Sequence, residues 1–342
     1  VDRSRLIYRW DLDKTYLRTD FDTARALWRT AWEPAASKRT MPGAAPLMRE
    51  LWRTGPQAIH ILSGSPKQMR KVLEEKLKLD GIRWTSFTLK PSLQQLLRGR
   101  LGYLRDQVGY KLNALLESRE GSPADTDEVL FGDDSESDAF VYSIYADICA
   151  GRVPLDDLTR VLEQAKISRD EVRRIVRRAG RVQQRDMCRR IFIHLDRMSS
   201  PDLFWDYGPR VCPFYNYFQP AVVMLESGMV DAESTLRVAA ELVIDHAFAA
   251  DALLASYADL SRRGHVGQGA ATRLIEHLHG ARSADFSTAT AVLVRFGEML
   301  QEQHASFSPI APSEPAVLDY VSLFARDKAR AHAAKLRAMQ RR

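Results

Sequence analysis

A chain of 342 residues, 45% hydrophobic and 27% charged, has the length for two domains with sizeable cores and the balance of a soluble globular protein. Its 50 Lys and Arg against 44 Asp and Glu leave a formal charge of +6, which favours anionic partners. No apolar run reaches transmembrane length, no secretory signal precedes Asp11, and Cys149, Cys188 and Cys212 are too few for a disulfide framework or thiolate metal site, so a cytoplasmic protein is expected.

In chain order, Val1 in place of Met reads as an alternative start codon or a trimmed chain with no domain ahead of it. The apolar-rich stretch from Arg5 to Trp10 then predicts a strand, followed directly by Asp11-Leu-Asp13-Lys-Thr15. Two carboxylates one residue apart at a strand end face the same side, where one can attack phosphorus and the other can manage the proton. Such a pattern arises by chance in roughly one chain of this length in twenty, so its weight depends on whether matching groups occur further along the chain. From Tyr16 to Pro56 the pattern is helical, with amphipathic segments at Ala24–Trp32 and Leu47–Trp52. Gln57–Leu62 predicts a second strand, ending in Ser63-Gly64-Ser65-Pro66 before a helix from Lys67 to Lys78. Trp84–Pro91 holds a further strand, and a basic segment with Arg98, Arg100 and Arg105 leads into helical Asp106–Ser118. Within that helix Lys111 is either an ordinary solvated lysine or a phosphate ligand. Glu128–Phe131 predicts a buried strand that runs into Gly132-Asp133-Asp134-Ser135-Glu136-Ser137-Asp138 and a helix from Ala139 to Cys149.

Strand-end carboxylates and a hydroxyl separated by helices fit a doubly wound parallel α/β sheet, in which residues distant in sequence meet beyond the strands' carboxyl ends. On that reading Asp11 is the nucleophile and Asp13 the general acid that later activates water. Mg²⁺, which takes hard oxygen ligands, would be held by Asp11, the Asp13 main-chain carbonyl and Asp133, with Ser63 and Lys111 on the phosphoryl oxygens. Thr15, Gly132, Asp134 and Asp138 would support them.

The ordered set Asp11-x-Asp13-x-Thr15, Ser63, Lys111 and Gly132-Asp133-x4-Asp138 resembles the haloacid dehalogenase-like phosphatases. Over residues 5–150 the chain is most similar to the catalytic domain of actin-patch-type phosphatidate phosphatases. Met41-Pro42-Gly43, Ile61–Pro66, Tyr110-Lys111-Leu112 and the spacing of Asp133, Glu136, Asp138 and Tyr142 carry that likeness. Lys14, Gly64 and Asp134-Ser135 depart from the family's usual residues. The resemblance implies a Mg²⁺-dependent phosphatase that turns phosphatidate into diacylglycerol. A phosphatase of a small soluble ester, and an interaction protein built on a basic helical domain, are the competing readings.

Beyond residue 150 the sequence predicts an all-α domain, 151–342. Three segments starting at Gly151, Gly228 and Gly264 share Gly, a Val two residues on and an Arg seven beyond it, as expected where a left-handed glycine ends a helix. Ser168–Glu171 has the form of a capping box for a helix with apolar Val172, Ile175, Val176, Ala179 and Val182. Its other face is arginine-rich through Arg190, and 326–342 is basic as well. Either these are solvated faces, or 169–190 and 326–342 contact anionic lipid, with nucleic acid the weaker expectation. The aromatic cluster Phe204–Tyr207 and Phe214–Phe218 reads as core packing before it reads as a ligand platform.

Overall fold

The computed structural model describes residues 1–18, 34–90, 100–135, 137–280, 287–308 and 317–340, the side chains of 100–107, 287 and 331–340 excepted. The expected helix at Ala24–Trp32, Arg98, the side chains of Arg100 and Arg105, and Glu136 lie outside these residues. Strands β1 (Leu6–Asp11) and β4 (Asp127–Asp133) are buried at every position, as strands covered on both faces must be. They form the centre of a sheet with β2 (Ala58–Pro66), β3 (Ser86–Lys90), β5 (Cys188–His194) and β6 (Val211–Phe214). All pairings are parallel, in the order β3-β2-β1-β4-β5-β6.

Among the described residues the helices in chain order are α1 (Ala44–Arg53), α2 (Arg70–Leu79), α3 (Arg100–Glu120), α4 (Asp138–Cys149), α5 (Leu155–Gln164) and α6 (Arg169–Ala179). After β6 come α7 (Phe218–Glu226), α8 (Ala232–His246), α9 (Ala250–Arg262), α10 (Gln268–Gly280), α11 (Thr290–Gln303) and α12 (Tyr320–Gln340). Alternation along the strands sends Tyr8, Trp10, Phe131, Phe192 and Phe214 into one core, shared with α1, α2 and α7–α11. Leu62, Leu130 and Ile191 enter the other, with α3–α6 and the start of α12. Helices on both faces and an all-parallel sheet make this a doubly wound α/β architecture.

The expectation of an all-helical region after residue 150 fails at β5 and β6. The sheet crosses the 150/151 boundary, because both strands continue it beyond β4. Arg189 and Arg190, read as part of a basic helix, are strand residues; Arg189 pairs with Asp127, and Arg190 donates to the Pro209 carbonyl. Pro213 is tolerated in β6 because that strand is the sheet edge. The helix expected through Arg190 stops at Ala179, and much of its charge is engaged: Arg178 pairs with Glu117 and Glu120, and Arg185 with Asp127.

Other expectations hold. The Ser168 side chain accepts from the Glu171 amide, capping α6, and Val172, Ile175, Ala179 and Val182 are buried. Gly151, Gly228 and Gly264 each have φ of +73°, after α4, α7 and α9, while Val230 and Val266 pack into the core behind the turn. Of the aromatic cluster, Tyr207, Phe214, Tyr217 and Phe218 are buried, as the packing reading predicts, whereas Trp205 and Tyr215 are exposed. Under the sheet, Arg9 donates to both carboxylate oxygens of Glu128, and Tyr145 adds a hydroxyl at 2.9 Å. Burial alone would favour a neutral Glu128, but Arg9 outweighs it and holds the carboxyl below its ordinary range.

Candidate active site

Because the strands are parallel, their carboxyl ends share one edge, and β1, β2 and β4 are neighbours there. Asp11 closes β1, Asp133 closes β4, and Ser63 and Ser65 lie in the last turn of β2. The loop after β1 returns at once: the Lys14 amide donates to Leu17 O at 2.9 Å, and Lys14 has φ of +59°. A lysine there carries the conformational cost of the left-handed region, so other contacts must hold the loop.

Asp11, Asp13, Thr15, Ser63, Lys111, Asp133 and Asp138 are all buried. Lys111 comes from the middle of α3, with Nζ 2.9 Å from Asp11 Oδ1 and in contact with Asp138 Oδ1. Its solvated reading is thereby set aside. The other oxygen of Asp138 accepts the Asp133 amide at 3.2 Å, fastening the start of α4 to the end of β4. Gly132 makes this approach possible, since a Cβ there would stand 2.4 Å from Asp138 Oδ2. Thr15 Oγ1 is 3.4 Å from Asp11 Oδ2, and the Ser135 amide donates to Asp133 Oδ1 at 2.6 Å.

Asp13 sits under two hydroxyls. Ser63 donates to Asp13 Oδ2 at 2.7 Å, and Ser65 donates to the same carboxylate at 3.0 and 3.1 Å. The Ser65 amide in turn donates to Ser63 Oγ at 2.9 Å, fixing the direction of the Ser63 hydroxyl. In this structure Ser63 therefore orients Asp13, and Ser65, which the sequence places only in a turn cluster, does the same. Asp134 faces away from the carboxylate cluster: its oxygens accept the amides of Arg197 at 2.9 Å and Ser199 at 3.2 Å, tying down the segment after β5.

Two residues that sequence reasoning missed hold the left-handed loop. His194, at the end of β5, donates through Nδ1 to the Lys14 carbonyl at 3.1 Å, and Tyr217 donates its hydroxyl to the Thr15 carbonyl. A carbonyl only accepts, so the proton sits on Nδ1 of His194. Burial pushes the His194 imidazole down and the Tyr217 hydroxyl well up, the latter reinforced by the Asp133 and Asp11 carboxylates. Both groups thus stay neutral hydrogen-bond donors. Tyr217 was visible as part of an aromatic run, but its hydroxyl's target was not; His194 follows a strand that the pattern hides.

Asp11, Asp133 and Asp138 each place a carboxylate oxygen within 4.8 Å of the others. Such convergence of buried hard oxygens matches a divalent cation, whose charge would offset their mutual repulsion. Each of the three also meets a protein group: Asp11 and Asp138 the Lys111 ammonium, and Asp133 the Ser135 amide.

An open α/β sheet with carboxylates, hydroxyls and an ammonium gathered at its strand ends is the frame of an enzyme that acts on an anionic group. Residues 10–154 match the family model of the phosphatidate phosphatase APP1 catalytic domain. This segment is a phosphatidate phosphatase-like catalytic domain, a phosphoric monoester hydrolase. No curated protein matches the chain.

Proposed function

We propose that the chain is a Mg²⁺-dependent phosphatase of the haloacid dehalogenase-like kind, acting through a phosphorylated Asp11, with phosphatidate as its substrate. The observation that carries the reading is the meeting of Asp11 with Lys111, Asp133 and Asp138 at the sheet's carboxyl edge. The family match of residues 10–154 supports phosphatidate over other monoesters.

A carboxylate oxygen of Asp11 attacks phosphorus as the bond to the glycerol oxygen breaks, and Asp13 gives that oxygen its proton. Water then attacks the same phosphorus; Asp13 takes a proton from it, the acyl-phosphate bond breaks, and inorganic phosphate leaves with the Asp11 carboxylate restored. Thr15 and Lys111 orient Asp11, while Ser63 and Ser65 orient Asp13. Lys111 also places positive charge where phosphoryl oxygens gather. Asp11 and Asp133, with the Asp13 main-chain carbonyl, would hold Mg²⁺, which when bound neutralises charge on the phosphoryl group. His194 and Tyr217 keep the Asp13–Thr15 backbone fixed through both steps.

Phosphate release from phosphatidate in mixed micelles, compared with a panel of sugar and nucleotide monophosphates, tests the substrate. We expect phosphatidate to be preferred, with activity lost in EDTA and restored by Mg²⁺. Preference for a water-soluble ester would assign the same site to a small metabolite.

A further inference from the structure

The segment between β5 and β6 exposes apolar side chains that the core does not claim. Met198 is 72% exposed and Trp205 68%, with Leu203 at 41% between them. Their neighbours point the other way: Phe204 packs on the core and Tyr207 is buried within it, so the 3-10 turn Pro201–Tyr207 is anchored while its outer side stays apolar. Met198 holds its exposed position with φ of +53°, a conformation that costs free energy for a side chain of this type.

The location is specific. The Arg197 and Ser199 amides are held by Asp134, next to Asp133, and Ser135 donates to Asp196 at 3.3 Å, so the exposed segment borders the catalytic crevice. On its other flank Arg326 pairs with Asp206, Tyr207 donates to Asp327, and Arg330 donates to the Leu203 carbonyl at 3.3 Å. The basic helix α12 therefore starts against this segment, and from Arg326 to Arg342 the sequence contains a single acid, Asp327. Arg197, Lys328 and Arg330 are exposed beside the apolar residues.

We infer that Met198, Leu203 and Trp205 form an apolar tip that enters an anionic lipid bilayer, with Arg197 and the basic start of α12 against the headgroups. The inference rests on the phosphatidate reading, for such a substrate keeps its acyl chains in a bilayer while its phosphate projects from it. Trp at a membrane interface and cations at anionic headgroups are the pairing that peripheral binding uses. Of the two basic segments in the sequence, the C-terminal one borders this tip, whereas α6 packs on α3 and α5, with Arg173 paired to Asp170 and Arg178 to Glu117 and Glu120.

Co-sedimentation of the full chain with phosphatidylcholine vesicles, with and without phosphatidylglycerol, tests this. The native protein should bind the anionic vesicles, and the double variant Met198→Ser, Trp205→Ser should bind about a hundredfold more weakly, at roughly tenfold per apolar side chain withdrawn. Its turnover of p-nitrophenyl phosphate should match the native value, showing that the site is intact. Native tryptophan fluorescence should be quenched by acyl-brominated lipid, and Trp205→Phe, which keeps the apolar bulk, should remove that quenching. Unchanged vesicle binding by the double variant, binding indifferent to phosphatidylglycerol, or a native dimer that the double variant converts to monomer would each overturn the tip. Short-chain phosphatidate below its micelle-forming concentration separates the two readings. Vesicle binding without hydrolysis of that ester sinks the substrate assignment alone, and hydrolysis without vesicle binding sinks the docking surface alone.

Discussion

Gly132 has no chemistry of its own, yet the geometry around it sets the position of Asp138 and through it Lys111. A methyl group there would lie 2.4 Å from Asp138 Oδ2 and 2.5 Å from its Cβ, so Asp138 has to move away from the Asp133 amide. Gly132→Ala should cut phosphate release from a soluble ester about a hundredfold, the scale of a misplacement near 1 Å, and lower stability by about 1–3 kcal/mol. Steady-state assays and urea unfolding check both, and native turnover would show that Asp138 has room to adjust. Gly132 was legible in sequence because it directly precedes Asp133 in an ordered motif. Ser65 was not: a serine in a turn next to proline has many uses, and only its distance to Asp13 separates them. The Lys14 and Thr15 carbonyls were invisible for a stronger reason, since every residue has one.

At the scale of elements, the central strands were easy to read because both faces are apolar, and the phosphatase motifs fall at their ends. β5 was missed because it opens with Cys188-Arg189-Arg190, charges that make it look like the tail of the arginine-rich helix. Those charges lie where the strand begins, near Asp127 and the Pro209 carbonyl, so they need no burial. β6 is four residues with a proline, too short for any periodicity. Helix ends were clearer, as the left-handed glycines after α7 and α9 demonstrate. The second of these turns carries a buried titratable group, His265. Burial, with the Arg263 and Arg190 charges adding to it, pushes this imidazole from 6.5 down to about 3. Above pH 6.5 it is neutral both folded and unfolded and contributes no pH dependence. As pH falls from 6.5 towards 3 the unfolded chain takes up the proton and the folded one does not, so stability is lost, at up to about 1.4 kcal/mol per unit. Urea unfolding between pH 6.5 and 5, above the range where most carboxylates titrate, should show this decline, shallower in His265→Gln. An identical slope in that variant would mean that His265 is not the group responsible.

For the whole molecule, the two halves expected from sequence are joined at the site itself. The half that carries the motifs supplies Asp11, Asp13, Ser63, Lys111, Asp133 and Asp138, and the second half supplies two strands and the clamp of His194 and Tyr217 on the loop after β1. The start of α12 also packs on the first half, where Tyr320 donates to Asp147 at 2.6 Å. Composition and periodicity hold no record of such joints, because they depend on which surfaces meet after folding. No helix among the described residues is long and apolar enough to cross a membrane. The central claim is that Asp11 becomes phosphorylated by phosphatidate. Acid-quenching the enzyme during turnover of phosphatidate labelled in its phosphate, followed by peptide mapping, tests it most directly. The account predicts a hydroxylamine-sensitive label on the peptide that contains Asp11, and in Asp11→Asn neither label nor more than about a thousandth of native phosphate release. Native-level phosphate release by Asp11→Asn, or a label that maps to another residue, would contradict it.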